Sequence, residues 1–181
     1  MSSFDSRQFR NALGRFATGV TVITVEQGDQ THGMTANAFT SVSLDPPLVL
    51  VSVDHRASLQ PILAGAARYG VSVLAEDQEA LSNHFARRGT PGQPVRFIKR
   101  LGVPLLEGAV AYFVVQVTEA HPAGDHTLYI GRVEHFEYRD DRPLLFYSGG
   151  YRHVRPEATK PQWPQDDFSL FSIGGFDPPS G

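Results

Sequence analysis

The segment "HGMTANAFTSVSLDPPLVLVSV", His32 to Val53, changes from small polar residues to an uninterrupted apolar strand. Its first half brings glycine, threonine, alanine, asparagine and serine close together, and its single acidic residue is Asp45. Small residues allow one backbone to approach another, or allow a backbone to approach a flat ligand. The segment therefore predicts either tight sheet packing or a binding wall, and the residue types alone favour packing.

Segments rich in β-branched residues surround this stretch and predict a mainly β protein. The predicted strands are 19–26, 36–43, 48–53, 69–75, 109–119, 127–138 and 143–148. We expect "QGDQT" to turn the first strand back as a hairpin. "AHPAGDH" should connect the two long strands, and Pro46 and Pro47 should form a corner because proline donates no ladder hydrogen bond.

Three helices are expected between these strands. Phe9, Leu13 and Phe16 follow helical spacing after a cap at Asp5 or Ser6. A second helix should be capped by Ser58, accept Pro61 in its first turn and end near residue 65. A third should run over 76–89 and stop at its last glycine, followed by a loop over 89–97.

The absence of an alternating βαβ rhythm favours an antiparallel barrel decorated with helices. With 181 residues, the chain fits one domain over 1–155 and a Pro-rich C-terminal tail over 156–181.

Composition excludes several classes of function. The net charge of −3 and the pI near 6.1 argue against nucleic-acid binding, and the lack of cysteine removes disulfides, thiolate catalysis and iron–sulfur clusters. No signal-peptide pattern and no 18-residue apolar run is visible, so we expect a cytoplasmic protein without membrane association.

The sequence gives little support for a metal site or for a catalytic serine. The seven histidines include no His-x-His or His-Glu-x-x-His unit, so no metal site is predicted. Ser58, Asp125 and His126 could form a triad on paper, but the chain has no Gly-x-Ser-x-Gly elbow.

An anion site is a better prospect at the end of the apolar strand. Ser52, Arg56 and Ser58 lie where a strand ends and a predicted helix begins, and free N–H groups gather at such a point. The alternative is that Ser58 only caps the helix and Arg56 is solvated, and the residues alone favour that alternative.

Five segments and one serine, in fixed order, resemble the short-chain flavin reductases, the NAD(P)H:flavin oxidoreductase components of two-component monooxygenases. They are "FRNALGRFATGVTVITV", "GMTANAFTSVSLDPPLVLVSV", Ser58, "NHFARRG", "GDHTLYIGRVE" and "PLLFYSGGY". The resemblance extends from Phe9 to about Trp163. It implies an antiparallel split β-barrel of the FMN-binding type that uses FMN or FAD, with NADH or NADPH as co-substrate.

The resemblance also implies roles for particular residues. The flavin ring should lie against Thr35, Ala36, Asn37, Ala38 and Phe39, with Phe85 and Ala86 lining the ring or the adjoining phosphate. The ribityl-phosphate should be held by Ser52, Val53, Asp54, His55, Arg56, Ala57 and Ser58. Further nicotinamide contacts are implied for Tyr147, Ser148, Gly149 and Gly150, and Tyr151 should close the site.

His126 is the one titratable residue that the resemblance places in the reaction, where it should orient the nicotinamide during hydride transfer to flavin N5. Reduced flavin would then reach a separate monooxygenase, and the family resemblance implies a homodimer. Two alternatives stay open: a flavin-dependent oxidase like the pyridoxamine-phosphate oxidases, and a non-catalytic flavin-binding module.

Overall fold

The computed structural model describes residues 5–92 and 94–155. Within them lie the helices α1 (Ser6–Leu13), α2 (Gln60–Ala64) and α3 (Glu79–Phe85). The strands are β1 (Thr18–Gly19), β2 (Thr21–Gln27), β3 (Gln30–Ala36), β4 (Phe39–Leu44), β5 (Pro47–Asp54), β6 (Arg68–Val73), β7 (Phe97–Arg100), β8 (Val103–Leu106), β9 (Ala111–Ala123), β10 (His126–Tyr138), β11 (Leu145–Tyr147) and β12 (Gly150–Arg152). The predicted tail, 156–181, lies outside the described residues.

Seven strands form one antiparallel sheet in the order β3-β2-β6-β9-β10-β5-β4. Its two edge strands, β3 and β4, follow each other in sequence and are separated only by Asn37 and Ala38. A connection of this length spans at most about 10 Å, so the two edges must approach each other at one end. The sheet is therefore curled into a barrel whose edges do not pair, which confirms the predicted split barrel.

The barrel interior is filled by alternate residues of its strands. On β5, Val49, Val51 and Val53 are buried, while the residues between them face the other side. Tyr69 and Tyr129 belong to the same buried cluster. The Tyr69 hydroxyl has no hydrogen-bond partner among the described residues, and burial raises the pKa of this phenol.

Gly33, in the first half of the opening segment, admits an aromatic ring. A Cβ atom built there would lie 2.6 Å from Cε1 and 2.7 Å from Cδ1 of Phe85, well inside van der Waals contact. Phe85 ends α3 and also contacts Phe97 edge-on. The packing interpretation therefore holds at Gly33, because α3 could not lie this close to β3 over a larger residue.

Two smaller sheets complete the fold. Strands β1, β11 and β12 form one, and β7 pairs with β8 in the other. Ser148 and Gly149 connect β11 to β12 with φ values of 50° and 80°, a pair of left-handed residues typical of a two-residue type I′ turn. The Ser148 N–H donates to the carbonyl of Gly14, which attaches this turn to the end of α1.

Several strand predictions were wrong in extent. The predicted strand 36–43 is divided between β3 and β4, because the chain crosses from one barrel edge to the other at Asn37 and Ala38. The connection 120–126 is mostly strand, since β9 and β10 continue to a turn of only Gly124 and Asp125. The β7–β8 hairpin was not predicted, and β7 begins at the end of the expected loop.

Two helix boundaries were also wrong. Ser58 does not cap α2: the residue before this helix is Leu59, and no side chain caps it. The third helix ends at Phe85, well before Gly89, because Arg87 takes a left-handed φ of 58°. The cap of α1 is confirmed, since the Asp5 carboxylate accepts the N–H groups of Arg7 and Gln8.

The apolar stripe of α1 is not buried in the monomer. Phe9 and Leu13 are 48% and 58% exposed, and Phe16, which lies beyond the helix end, is 78% exposed. The helix formed as its spacing predicts, but it contributes no buried residue to the barrel core.

Candidate functional site

The corner at Asn37 and Ala38 is fixed from both sides. The Thr35 hydroxyl donates to the carbonyl of Ser82 on α3 at 2.7 Å, and the Thr21 hydroxyl donates to the carbonyl of Ala36 at 2.7 Å. Beyond the corner, the Ser52 N–H donates to the carbonyl of Ala38 at 3.0 Å. The backbone of this small-residue segment is therefore held rigidly, while its side chains add almost no bulk.

A cleft of about 1070 Å³ opens beside this corner. It is bounded by the end of α1, β1, the β3–β4 corner, β5 and the β11–β12 turn. The lining residues are Arg10, Asn11, Leu13, Gly14, Phe16, Ala17, Thr18, Gly19, Thr21, Asn37, Ala38, Phe39, Thr40, Leu50, Ser52, Val73, Phe146, Ser148 and Gly149.

The cleft fits a flavin in size and in chemistry. Ligand clefts of drug-sized molecules measure about 300–1,000 Å³ and are lined mainly by apolar groups with a few polar atoms. This lining has the same character, and Arg10 is its only charged side chain among the described residues. The buried Thr18 hydroxyl also lacks a hydrogen-bond partner among residues 5–92 and 94–155. The residues present therefore suit a large planar group.

A second, smaller pocket of about 170 Å³ adjoins the cleft and shares Asn37 and Phe146 with it. Tyr151 lines this pocket, packs edge-on against Phe146 and hydrogen-bonds Ser82 Oγ at 2.8 Å. Its hydroxyl also donates to Asn83 Oδ1 at 3.2 Å. Tyr151 thus connects β12 to α3 beside the cleft.

Several polar groups of the predicted phosphate-binding segment, 52–58, already have partners within the protein. The Arg56 guanidinium contacts the Asp54 carboxylate at 2.7 Å, and the Arg56 N–H donates to the same carboxylate at 2.8 Å. The Arg56 side chain and backbone together hold the pKa of Asp54 far below its usual range. The N–H groups of His55 and Ala57 donate to the carbonyls of Asp125 and Asp54. An anion here would compete with Asp54 for Arg56.

His126 begins β10, opposite Asp54 of β5 in the ladder. Its Nδ1 lies 2.6 Å from a carboxylate oxygen of Asp125, and its side chain is 39% exposed. This hydrogen bond holds the pKa of Asp125 below its usual value. His126 is therefore oriented by its neighbour and accessible to a ligand, although it does not line the cleft.

The predicted site residues divide into three groups. Those lining the large cleft are Asn37, Ala38, Phe39, Ser52, Ser148 and Gly149. Those lining the small pocket are Thr35, Ala36, Asn37, Ala86 and Tyr151. Those lining neither are Val53, Asp54, His55, Arg56, Ala57, Ser58, Phe85, His126, Tyr147 and Gly150. Val53 is fully buried in the barrel core.

The residues of α1 and β1, which form one side of the cleft, had no predicted role in ligand binding. Leu13 and Phe16 are residue types that helical spacing assigns to a core, so nothing in their pattern indicated a ligand. A usable signal was the run of small residues that follows Phe16, from Ala17 to Gly19.

Among residues 5–92 and 94–155, no group of three or more histidine, cysteine or acidic side chains could hold a metal ion. Within the same residues, no helix has the length and apolar character needed to cross a membrane.

Comparison with known proteins gives consistent matches. Residues 13–155 match the model of the flavin reductase like domain. The chain is 52% identical over 157 residues to an NADH-dependent flavin reductase of a Rhodococcus species, which covers 85% of this chain and 89% of the relative. It is 35% identical over 181 residues to the flavin-dependent monooxygenase reductase subunit HsaB of Mycobacterium tuberculosis, with 95% of each chain covered.

A solved structure shares the fold. The NADH:FAD oxidoreductase SgcE6 of Streptomyces globisporus, in complex with NAD and FAD fragments, has a TM-score of 0.80 and 38% identity. The similarity covers 86% of this chain and 96% of that one.

Proposed function

Because the chain belongs to the flavin reductase-like family, we infer that it is an NADH-dependent flavin reductase that supplies reduced flavin to a separate monooxygenase. The observation that carries this function is the cleft beside the rigid, small-residue corner at Asn37 and Ala38. When bound, the flavin accepts the hydride that NADH gives up. The names of the relatives support NADH as the donor, and use of this dinucleotide supports a cytoplasmic enzyme.

In this proposal the protein binds and orients the two ligands and supplies no nucleophile. The backbone of Asn37 to Phe39 forms a wall for the ring, and the Ser148–Gly149 turn lines the same cleft. Leu13 and Phe16 cover the ring from the side of α1 and exclude water. His126, held by Asp125, orients the nicotinamide at the open end of β10.

The function is tested by following NADH oxidation at 340 nm with and without added FMN or FAD. We expect oxidation that depends on the added flavin, because the flavin is the electron acceptor. An oxidase of the pyridoxamine-phosphate type or a non-catalytic flavin-binding module would not consume NADH in this way. Purified protein without NADH oxidation at saturating flavin would therefore contradict the proposal.

We further propose that the segment Ser52–Ser58 binds the flavin phosphate. A phosphate would replace the Asp54 carboxylate as the partner of Arg56, with Ser58 exposed beside it. Ser58→Ala should then weaken FMN binding by about 1.5–3 kcal/mol, the value of a hydrogen bond to a charged group. Riboflavin, which has no phosphate, is the control. An equal loss for both ligands would contradict the phosphate role.

A homodimer is the oligomeric state that we propose. Val42 and Leu44 are 47% and 75% exposed on β4, an edge strand that pairs only with β5 among residues 5–92 and 94–155. An open, apolar edge invites pairing with another chain, and a second copy would cover it. Sedimentation should give a dimer at micromolar concentration, and Leu44→Lys should shift it toward monomer. A stable wild-type monomer would contradict this proposal.

A further inference from the structure

Gly19, the second residue of β1, lacks the usual reasons for a glycine in a strand. Its φ is not in the left-handed region, and a Cβ atom built on it would meet no heavy atom of the described residues within 4 Å apart from its own chain neighbours. At Gly33 and Gly70, by contrast, a Cβ atom would lie within 2.7 Å of neighbouring atoms. Neither backbone conformation nor packing therefore explains the missing side chain at Gly19.

The open space beside Gly19 belongs to the cleft. Gly19 precedes Thr21 by two residues, and Thr21 lies opposite Val73 in the β2–β6 ladder. Thr21 and Val73 both line the cleft, as Gly19 does. A Cβ atom at position 19 would therefore enter open space at a residue that itself lines the cleft. Val20, which separates β1 from β2, is instead buried with Leu74 and Leu144.

We propose that Gly19 is a binding residue for the flavin ring: its backbone contacts the ring, and its missing side chain leaves room for it. The inference rests on the proposed function, because it requires a flavin in the cleft. It adds β1 to the walls of the site, together with the Asn37–Phe39 corner. The flavin ring is rigid and planar, so it cannot adjust to a methyl group that occupies the same space. Gly19 therefore limits how thick a ligand the cleft can hold at this point.

The test is Gly19→Ala, with Gly92→Ala as its matched control. Gly92 also has open space around it and an ordinary φ, but it lines neither pocket. We expect Gly19→Ala to weaken FMN and riboflavin by the same factor, about tenfold, since one misplaced methyl group in a pocket costs at least that much. Gly92→Ala should bind both as the wild type does. Quenching of flavin fluorescence measures the affinities.

A second measurement separates binding from stability. The unfolding midpoint of ligand-free Gly19→Ala should equal or exceed that of the wild type, because alanine meets no clash and restricts the unfolded chain. A lower midpoint would overturn the inference, as would unchanged affinity for both flavins or a loss confined to FMN. Wild-type protein that binds no flavin would overturn the proposed function as well, which distinguishes the two failures.

Discussion

Substitution of Gly33 by alanine should loosen the contact between α3 and the barrel. The new Cβ atom would lie 2.6 Å and 2.7 Å from two ring carbons of Phe85, whereas ordinary contact begins near 3.4 Å. The ring or the helix must therefore move by somewhat less than 1 Å. The ring packs against a buried cluster that includes Val20, Val22 and Leu74, so it has little free space to enter.

Overpacking of this kind costs about 1–3 kcal/mol of unfolding free energy. For a domain of this size, the loss corresponds to a decrease in Tm of about 2–12 °C. Urea unfolding followed by far-UV circular dichroism measures it. The control is Gly65→Ala, where the nearest atoms are 3.8 Å and 4.0 Å away and no movement is needed.

A double-mutant cycle attributes the loss to the Phe85 ring. Phe85→Leu removes the ring carbons that the new methyl group would meet, so Gly33→Ala should cost less in that background. We expect the two substitutions to differ from additivity by at least about 0.5 kcal/mol, as contacting residues do. Strict additivity, or a Gly33→Ala protein as stable as the wild type, would refute the reasoning.

Three further predictions concern His126, Tyr69 and Glu137. His126→Ala should slow flavin reduction by NADH about ten- to a hundredfold in single-turnover experiments, which is about 1.4–2.7 kcal/mol of transition-state binding. His121→Ala is the control, since His121 is also exposed and paired with an acid, Glu119, on the same hairpin; equal effects would exclude a specific role. Tyr69→Phe should raise the unfolding free energy by about 1 kcal/mol, because it removes a buried hydroxyl that has no hydrogen-bond partner in the described part of the chain; a lower unfolding free energy in urea would show that the hydroxyl is bonded. Arg100 and His135 lower the pKa of Glu137 to about 2, so the stability that this carboxylate contributes is present above its unfolded pKa near 4.5 and is lost as the pH falls toward 2. Glu137→Gln should flatten the pH dependence of unfolding in that window, and an unchanged slope would show that the pair contributes nothing.

The sequence predicted the strands better than their pairing. Runs of valine, isoleucine and threonine mark strands wherever they occur, but they do not say which edge of a strand meets which neighbour. The pairing of β6 with β9, for example, joins segments that are distant in sequence. The β7–β8 hairpin was missed because Pro104 and two basic residues interrupt its apolar pattern.

The part of the candidate site that lies in one short segment of the chain could be predicted from the sequence. Asn37, Ala38 and Phe39 line the cleft; the family resemblance implied a role for them at the flavin ring, whereas the residue types alone favoured sheet packing. Ser58 was predicted to cap α2, but its residue type alone could not show that it does not. In the turn before the helix, it is the Asp54 carboxylate that accepts a backbone N–H, that of Arg56. The contribution of α1 was not predictable, since an apolar stripe at helical spacing looks the same whether it covers a core or a ligand.

The strand order also determines when the protein can assemble during synthesis. The hairpins β2–β3 and β4–β5 are local, but they belong to opposite halves of the sheet and are linked within it through β6, β9 and β10. Before residue 132 has left the ribosome, the part of β10 that pairs with β5 is incomplete and this apolar strand lacks its full partner. Nascent chains are thus exposed to aggregation until late in translation, and the β9–β10 hairpin is the step at which the two halves become one cooperative folding unit.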